Sequence, residues 1–135
     1  MVLNIAAFSE AFALGAKAGV DPDVLYQVIR VGLAGSNALD AKIPKILERN
    51  FKPGFKIRLH YKDLKNVLET ARELMIPLPL TFSVQQTICG LINEGKGEED
   101  HSAITCLYEQ PAKVLAGGKP SLRTSKIASL FAHAR

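Results

Sequence analysis

Apolar residues recur along this chain with helical spacing from end to end, and polar, glycine and proline residues punctuate them. Residues 1–18 are rich in Ala, Leu and Phe and apolar on nearly every face, the pattern of a helix covered by more than one neighbour. No Ser, Thr or Asp precedes Met1, so the stretch reads as the continuation of a longer helix whose first turns lie upstream. Gly19 ends it. Asp21 and Pro22 then supply an N-cap and a first-turn proline for a second helix, with Val24, Leu25, Val28, Ile29 and Leu33 expected on its inner side.

Gly32 to Ser36 (GLAGS) forms a break, after which Ser36 caps a third helix that runs to about Arg49 and is expected to bend near Pro44. A loop covers Asn50 to about Ile57. The clearest period follows: Leu64, Val67, Leu68, Ala71, Leu74 and Met75 repeat at i, i+3, i+4, i+7, i+10 and i+11 and predict one continuous core-facing stripe. Pro77 and Pro79 stop that helix. Leu80 to Asn93 predicts another, with Val84, Ile88, Leu91 and Ile92 inward and Gly95 at its end. Asp100 or Ser102 caps a last helix from about Ala103 to Leu115, with Pro111 a possible kink inside it. No useful β alternation and no internal repeat occur, so the predicted class is all-α, one domain of about six helices.

Composition narrows this picture. A chain of 135 residues, 47% hydrophobic and 22% charged, has the size of one domain with a real core. Its longest apolar run is broken by Asn4, Ser9 and Glu10, short of the ~18 residues that span a bilayer. Signal-peptide features are absent from it as well. Cys89 and Cys106 lack any metal or CxxC spacing and read as reduced core thiols, which points to a cytoplasmic protein with no metal. After Glu109 come five basic residues (Lys113, Lys119, Arg123, Lys126 and Arg135) and no acid; subtracting them from the 17 of the whole chain leaves twelve against thirteen acids. The chain therefore divides into a nearly neutral body, residues 1–115, and a basic, partly disordered tail, residues 116–135. Residues 42–65 concentrate eight Lys/Arg against Glu48 and Asp63. A local patch of this kind suits a small anionic ligand, not nucleic acid, because the tail has no aromatic interleaving before Phe131.

The candidate chemistry lies in residues 51–64, FKPGFKIRLHYKDL. At ~100° per residue, Asp63 falls at the edge of the apolar stripe, while Leu59, Lys62 and Asn66 fall opposite its centre. The plain reading is a solvated polar face, with Phe55 an ordinary packed aromatic. His60 falls on the stripe and reads as a packed, hydrogen-bonded core histidine. His101 in EEDHSA, beside Glu99 and Asp100, reads as part of a favourably charged helix start and not as a metal site. Ser36 and Asn37 are weaker substrate candidates, since capping accounts for Ser36.

The blocks LNIAAFSEA, KAGVDPD, GLAGSNALDAK, RNFKPGFKIRLHYKDL, LPLT, GKGEEDHSA and YEQPAKV resemble, in order and spacing, the C-terminal domain of the β-hydroxyacid dehydrogenases, the 3-hydroxyisobutyrate dehydrogenase family. The resemblance covers about Leu3 to Val114, and its most specific part is PGF followed by KDL. It implies a helical domain like the C-terminal domain of 6-phosphogluconate dehydrogenase, beginning inside the interdomain helix. It also implies NAD or NADP bound mainly by an N-terminal Rossmann domain, which is absent from this chain, as is any GxGxxG turn. By the same resemblance Lys62 contacts the cofactor, Phe55 and Asp63 border the substrate cleft, and the general-acid lysine lies about three helical turns before Asn4, outside this chain. The implied reaction is hydride transfer to the carbonyl of a small anionic oxo acid, interconverting tartronate semialdehyde and glycerate. The implied assembly is a homodimer or tetramer in which residues 1–18 bury against a partner. The alternative is a stand-alone helical interaction module without catalysis.

Overall fold

In the computed structural model, which describes residues 1–117, six helices follow one another. They are α1 (Val2–Lys17), α2 (Pro22–Val31), α3 (Asn37–Leu47), α4 (Ile57–Glu73), α5 (Pro79–Asn93) and α6 (Thr105–Ala112), with 3₁₀ turns at Lys96–Glu98 and His101–Ile104. No strand occurs among the described residues; a single antiparallel bridge pairs Lys56 with Asp100. The all-α class is therefore as the periodicity predicts. Of the stretch read above as a partly disordered basic tail, residues 116–135, Ala116 is instead buried and bonded to Glu109, and residues 118–135 lie outside the described residues.

Local chemistry accounts for three of the six helix starts, those of α2, α3 and α5. The Asp21 side chain accepts from Asp23 N at 2.8 Å and Pro22 occupies the first turn of α2, while Ser36 Oγ accepts from Leu39 N at 3.1 Å to open α3. Pro79 is the first residue of α5, where its missing N–H costs nothing, so it starts a helix and does not merely end the previous one. Pro44 sits within α3. Helix ends follow local rules less closely. Gly19 and Gly95 take the expected left-handed conformation, both at φ 82°. Arg49, Met75 and Lys113 do the same at φ 56°, 57° and 53° after α3, α4 and α6, although none is a glycine. Met75 thus ends α4 before either proline is reached.

Ile5, Phe12, Leu39, Ile43, Ile46, Ile57, Ile88, Leu91 and Ile104 are fully buried and form the centre of one core. Its axis is α1, which touches α2, α3, α5, α6 and the His101–Ile104 turn. Part of the apolar surface of α1 expected to bury against a partner chain is thus covered within this chain, while Leu3 and Leu14 stay exposed. Val2, Ile5, Ala6, Phe8, Phe12 and Ala13 are covered by this chain's own helices. Two other expectations also change. On α2 Tyr26 is buried and Leu25 and Ile29 pack against the core as expected, whereas Val24, Val28 and Leu33 are exposed. On α4 only Ile57, Leu64 and Ala71 are buried, because the helix packs along α5 and against the two 3₁₀ turns but not along α1; Val67, Leu74 and Met75 face outward.

The buried polar groups are as structured as the apolar core. Asp100 is fully buried. Its Oδ1 accepts from Lys42 Nζ at 3.1 Å and Ser102 N at 3.1 Å. Its Oδ2 accepts from Lys42 Nζ at 3.2 Å, Gly54 N at 2.9 Å and Phe55 N at 3.1 Å, with Lys45 Nζ at 3.7 Å. A second buried carboxylate, Glu109, accepts from Arg49 Nη1 at 2.6 and 2.8 Å and from Ala116 N at 2.6 Å. Next to it the chain turns so close to α3 that a Cβ on Gly117 would lie 2.2 Å from Ile46 O, a contact only glycine permits. The local basic region of the sequence is largely consumed in this way. Lys42 and Lys45 serve Asp100, Arg49 serves Glu109, and Lys56 and Arg58 both pair with Glu98. The anionic-ligand reading of that region consequently narrows to Lys52, Lys62 and Lys65, the last two paired only with acids of their own helix, Asp63 and Glu69.

Two outcomes follow from these buried groups. Glu109→Ala leaves the Arg49 guanidinium and the Ala116 N–H without their acceptor and should cost about 3 kcal/mol, read as a lower urea midpoint at unchanged slope; a midpoint within error of wild type would contradict it. The second concerns pH. Burial, with a further push from Lys42, brings the His101 imidazole down to about 4, and burial lowers His60 despite Asp63. Unfolded, both rings protonate near ~6.5, so the unfolded state binds the extra protons and stability falls as pH drops from there toward 4. Burial alone would raise the Asp100 carboxyl, but the donors from Ser102, Gly54 and Phe55 outweigh it and hold it well below the usual carboxylate range. Its contribution is present above the ordinary carboxylate pKa and is lost only at lower pH still. The melting temperature should drop by about 10 °C between roughly pH 7.5 and 4.5, an expected loss on the order of 2 kcal/mol. A flat profile over that range would refute the neutral-histidine assignment.

Candidate functional site

The loop before α4 is held by its backbone. Asp100 N donates to Phe51 O at 3.0 Å, His101 N donates to Phe55 O at 2.9 Å, and Ile57 N donates to Glu99 O at 3.0 Å. The last two flank a single antiparallel bridge between Lys56 and Asp100, and the bonds from Gly54 N and Phe55 N to the Asp100 side chain hold the loop just before it. α4 then starts with no side-chain cap, because its first donor is already taken by Glu99.

That backbone directs the Phe55 ring onto two histidines. Its centroid lies 4.6 Å from His60 in an edge-to-face arrangement and 5.5 Å from His101, and the two imidazoles stack at 4.6 Å with 22° between their planes. Phe55 is half-buried, so it is neither an ordinary core residue nor a free side chain. His60 is packed as expected. Its Nε2, however, is buried with no hydrogen-bond partner among the described residues, as are both ring nitrogens of His101, so the expected hydrogen bond of His60 is corrected. Neutral rings suit such a stack, and burial keeps both in that form.

One turn further along, Lys62 Nζ lies 3.5 Å from Asp63 Oδ1, with the Lys62 side chain 65% and Asp63 48% exposed. Lys62 therefore projects from α4 to solvent on the side opposite Leu64. Asp63 stands near enough to His60 for its charge to favour the protonated ring. Phe55, in the loop before α4, thus packs on His60, Asp63 lies near that imidazole in turn, and Lys62 is joined only through its ion pair with Asp63. An exposed ammonium loosely paired with a carboxylate can hold an anionic group and orient hydrogen-bond donors.

The remaining candidates are occupied elsewhere. Ser36 Oγ is used in capping α3 and Asn37 is the first residue of that helix. Cys89 and Cys106 are free thiols, and burial pushes the Cys106 thiol up. No group of three or more potential metal ligands occurs among the described residues, and no helix there is long and apolar enough to cross a membrane. An open groove of about 570 Å³ lies apart from the ring cluster, between α4 and α5, and is lined by residues including Tyr61, Leu68, Arg72, Ile76 and Phe82. Residue-by-residue reading missed Lys42 and the reach of Asp100. One signal was available: Lys42 falls in the inward Ala38, Leu39, Ile43, Ile46 stripe of α3, where a lysine needs a buried partner.

Comparison with known proteins bears on these observations. The family description "NAD-binding of NADP-dependent 3-hydroxyisobutyrate dehydrogenase" matches residues 1–108. The chain is 39% identical over 109 residues to 2-hydroxy-3-oxopropionate reductase of Escherichia coli K12, covering 81% of this chain and 37% of that protein. It is 39% identical over 114 residues to L-threonate dehydrogenase of Cupriavidus necator (82% and 38%) and 36% identical over 116 residues to 2-(hydroxymethyl)glutarate dehydrogenase of Eubacterium barkeri (85% and 38%). A crystal structure of 3-hydroxyisobutyrate dehydrogenase from Salmonella typhimurium superposes with a TM-score of 0.75 at 32% identity, over 78% of this chain and 37% of that one. The chain spans less than two-fifths of the length of these relatives. With a matching helical fold and a family match over residues 1–108, the chain belongs to the 3-hydroxyisobutyrate dehydrogenase family.

Proposed function

We propose that this chain is the helical, cleft-closing part of an NAD(P)-dependent β-hydroxyacid dehydrogenase that interconverts tartronate semialdehyde and glycerate. The observation that carries the reading is the exposed Lys62–Asp63 pair on α4, the helix whose preceding loop fixes the Phe55 ring against His60. Nothing in this chain's own fold calls for that pair: both side chains point outward and neither serves the core. The three relatives act, by their names, on small hydroxy or oxo acids. The wording of the PGF and KDL blocks favours tartronate semialdehyde among those substrates.

Reduction of such a carbonyl builds negative charge on its oxygen, which a positioned donor and a water-poor site must stabilise. The nicotinamide cofactor, when bound, supplies the hydride. Among the residues present, Lys62 is the one fitted to hold it, since its ammonium is exposed and only loosely paired. Asp63 orients neighbouring donors and Phe55 forms an apolar wall that keeps water from the reacting carbonyl. No strand and no glycine-rich phosphate turn occur among the described residues. The dinucleotide phosphates and the proton-donating lysine are accordingly assigned to an N-terminal Rossmann domain packed across the cleft. Assembly as a homodimer or tetramer fits the exposed apolar faces of α2 (Val24, Val28, Val31) and of the α4–α5 hairpin (Leu74, Met75, Leu80, Phe82). The free thiols suit a reducing, cytoplasmic setting.

In the dehydrogenase that carries this chain together with its Rossmann domain, Lys62→Ala removes a charge-assisted contact of ~1.5 to 3 kcal/mol. The expected result is a kcat/KM lower by roughly ten- to two-hundred-fold with an unchanged melting temperature, since the side chain stabilises nothing in the fold. Wild-type kinetics for this variant would reduce Lys62–Asp63 to a solvated ion pair. The 135-residue chain by itself should show no turnover with either nicotinamide cofactor; reductase activity in the purified chain would mean that a cofactor cradle exists within it.

A further inference from the structure

We infer that Asp100 is a positioning residue for the substrate cleft, its buried carboxylate setting the backbone of Gly54 and Phe55 and thereby the direction of the Phe55 ring. The inference rests on the reading of Phe55 as a cleft residue.

Asp100 has an ordinary task, capping the His101–Ile104 turn through Ser102 N, and that task needs only Oδ1. Oδ2 has no part in it. Apart from the shared Lys42 ammonium and the Lys45 ammonium at 3.7 Å, Oδ2 is given to two consecutive loop N–H groups, Gly54 N at 2.9 Å and Phe55 N at 3.1 Å. The next residue completes the grip, because His101 N donates to Phe55 O at 2.9 Å. Phe55 is thus held at both its donor and its acceptor by residues 100 and 101. With the backbone fixed there, the ring lies against His60 and His101.

A neutral isostere cannot reproduce this. All the groups around the carboxylate are donors, and an amide offers one acceptor oxygen and two hydrogens in place of two acceptor oxygens. Whichever way an Asn at 100 turns, its NH₂ meets either the ammonium and Ser102 N–H or the two loop N–H groups. The loop then loses its register and the ring its direction.

The test has two arms. In the 135-residue chain, NMR of the His60 and His101 ring protons reads the ring-current field of Phe55. Asp100→Asn should move these resonances in the direction that Phe55→Ala moves them, whereas Ile88→Val, which weakens the core elsewhere, should leave them in place. In the complete dehydrogenase, Phe55→Ala and Asp100→Asn should each lower kcat/KM at least roughly tenfold, and the double variant should be no worse than the poorer single one, the mark of two residues acting through one effect. Losses that multiply in the double variant, or unmoved histidine resonances in Asp100→Asn, overturn the inference. Should Asp100→Asn not fold, Lys45→Met removes the partly exposed outer cation and its bond to Lys52 O at 3.3 Å while leaving the carboxylate in place; it is expected to move the resonances the same way, and unmoved resonances overturn the inference there too. Full activity in Phe55→Ala sinks the cleft reading itself, an outcome separate from the resonance shifts.

Discussion

A single buried carboxylate ties together parts of the chain that would otherwise have no fixed relation. Asp100 joins α3 through Lys42 and Lys45, the loop before α4 through Gly54 and Phe55, and the turn leading to α6 through Ser102. Burying a charge in an apolar interior costs several kcal/mol unless donors replace the lost water. Here every neighbour is a donor, so the charge is tolerated and the geometry is demanding. Removing any one partner leaves the others aimed at an imperfect acceptor, which makes the cluster a device for register as well as for stability.

The same economy of partners explains where the surface chemistry ends up. A chain with a net charge of +4 and a dense basic stretch could have presented a broad cationic face. Most of that stretch instead meets acids from residues 98–109, leaving Lys62 paired only with its own neighbour. The distinction matters for recognition: an ammonium committed to a buried carboxylate offers nothing to a ligand, while one held at 3.5 Å in solvent can exchange its partner at little cost.

The candidate site therefore combines a rigid and a movable component. Phe55 is fixed by backbone bonds on both sides and by ring contacts with neutral imidazoles. Lys62 and Asp63 keep rotamer freedom on a well-formed helix. The proposed cleft would draw on both, a fixed aromatic wall and polar ends that adjust as water leaves.

Local rules carried much of the architecture. Asp21 with Pro22 and Ser36 start helices where their side chains reach nearby N–H groups, Gly19 and Gly95 end them, and the period of α4 alone is enough to turn Lys62 away from Leu64. The family blocks, and with them the positions of Phe55, Lys62 and Asp63, are also properties of the string. Tertiary structure decided the rest. Which apolar stripe is covered depends on what packs beside it, so α1 is enclosed by its own neighbours while Val28 and Met75 are left exposed despite equally good spacing. Arg49, Met75 and Lys113 adopt left-handed φ because the chain's direction there is imposed by packing, against their own preference. Asp100 meets Lys42 across 58 residues and Gly54 across 46. No local propensity reports such a pairing, because a buried charge finds its partners only once the helices bearing them have come together.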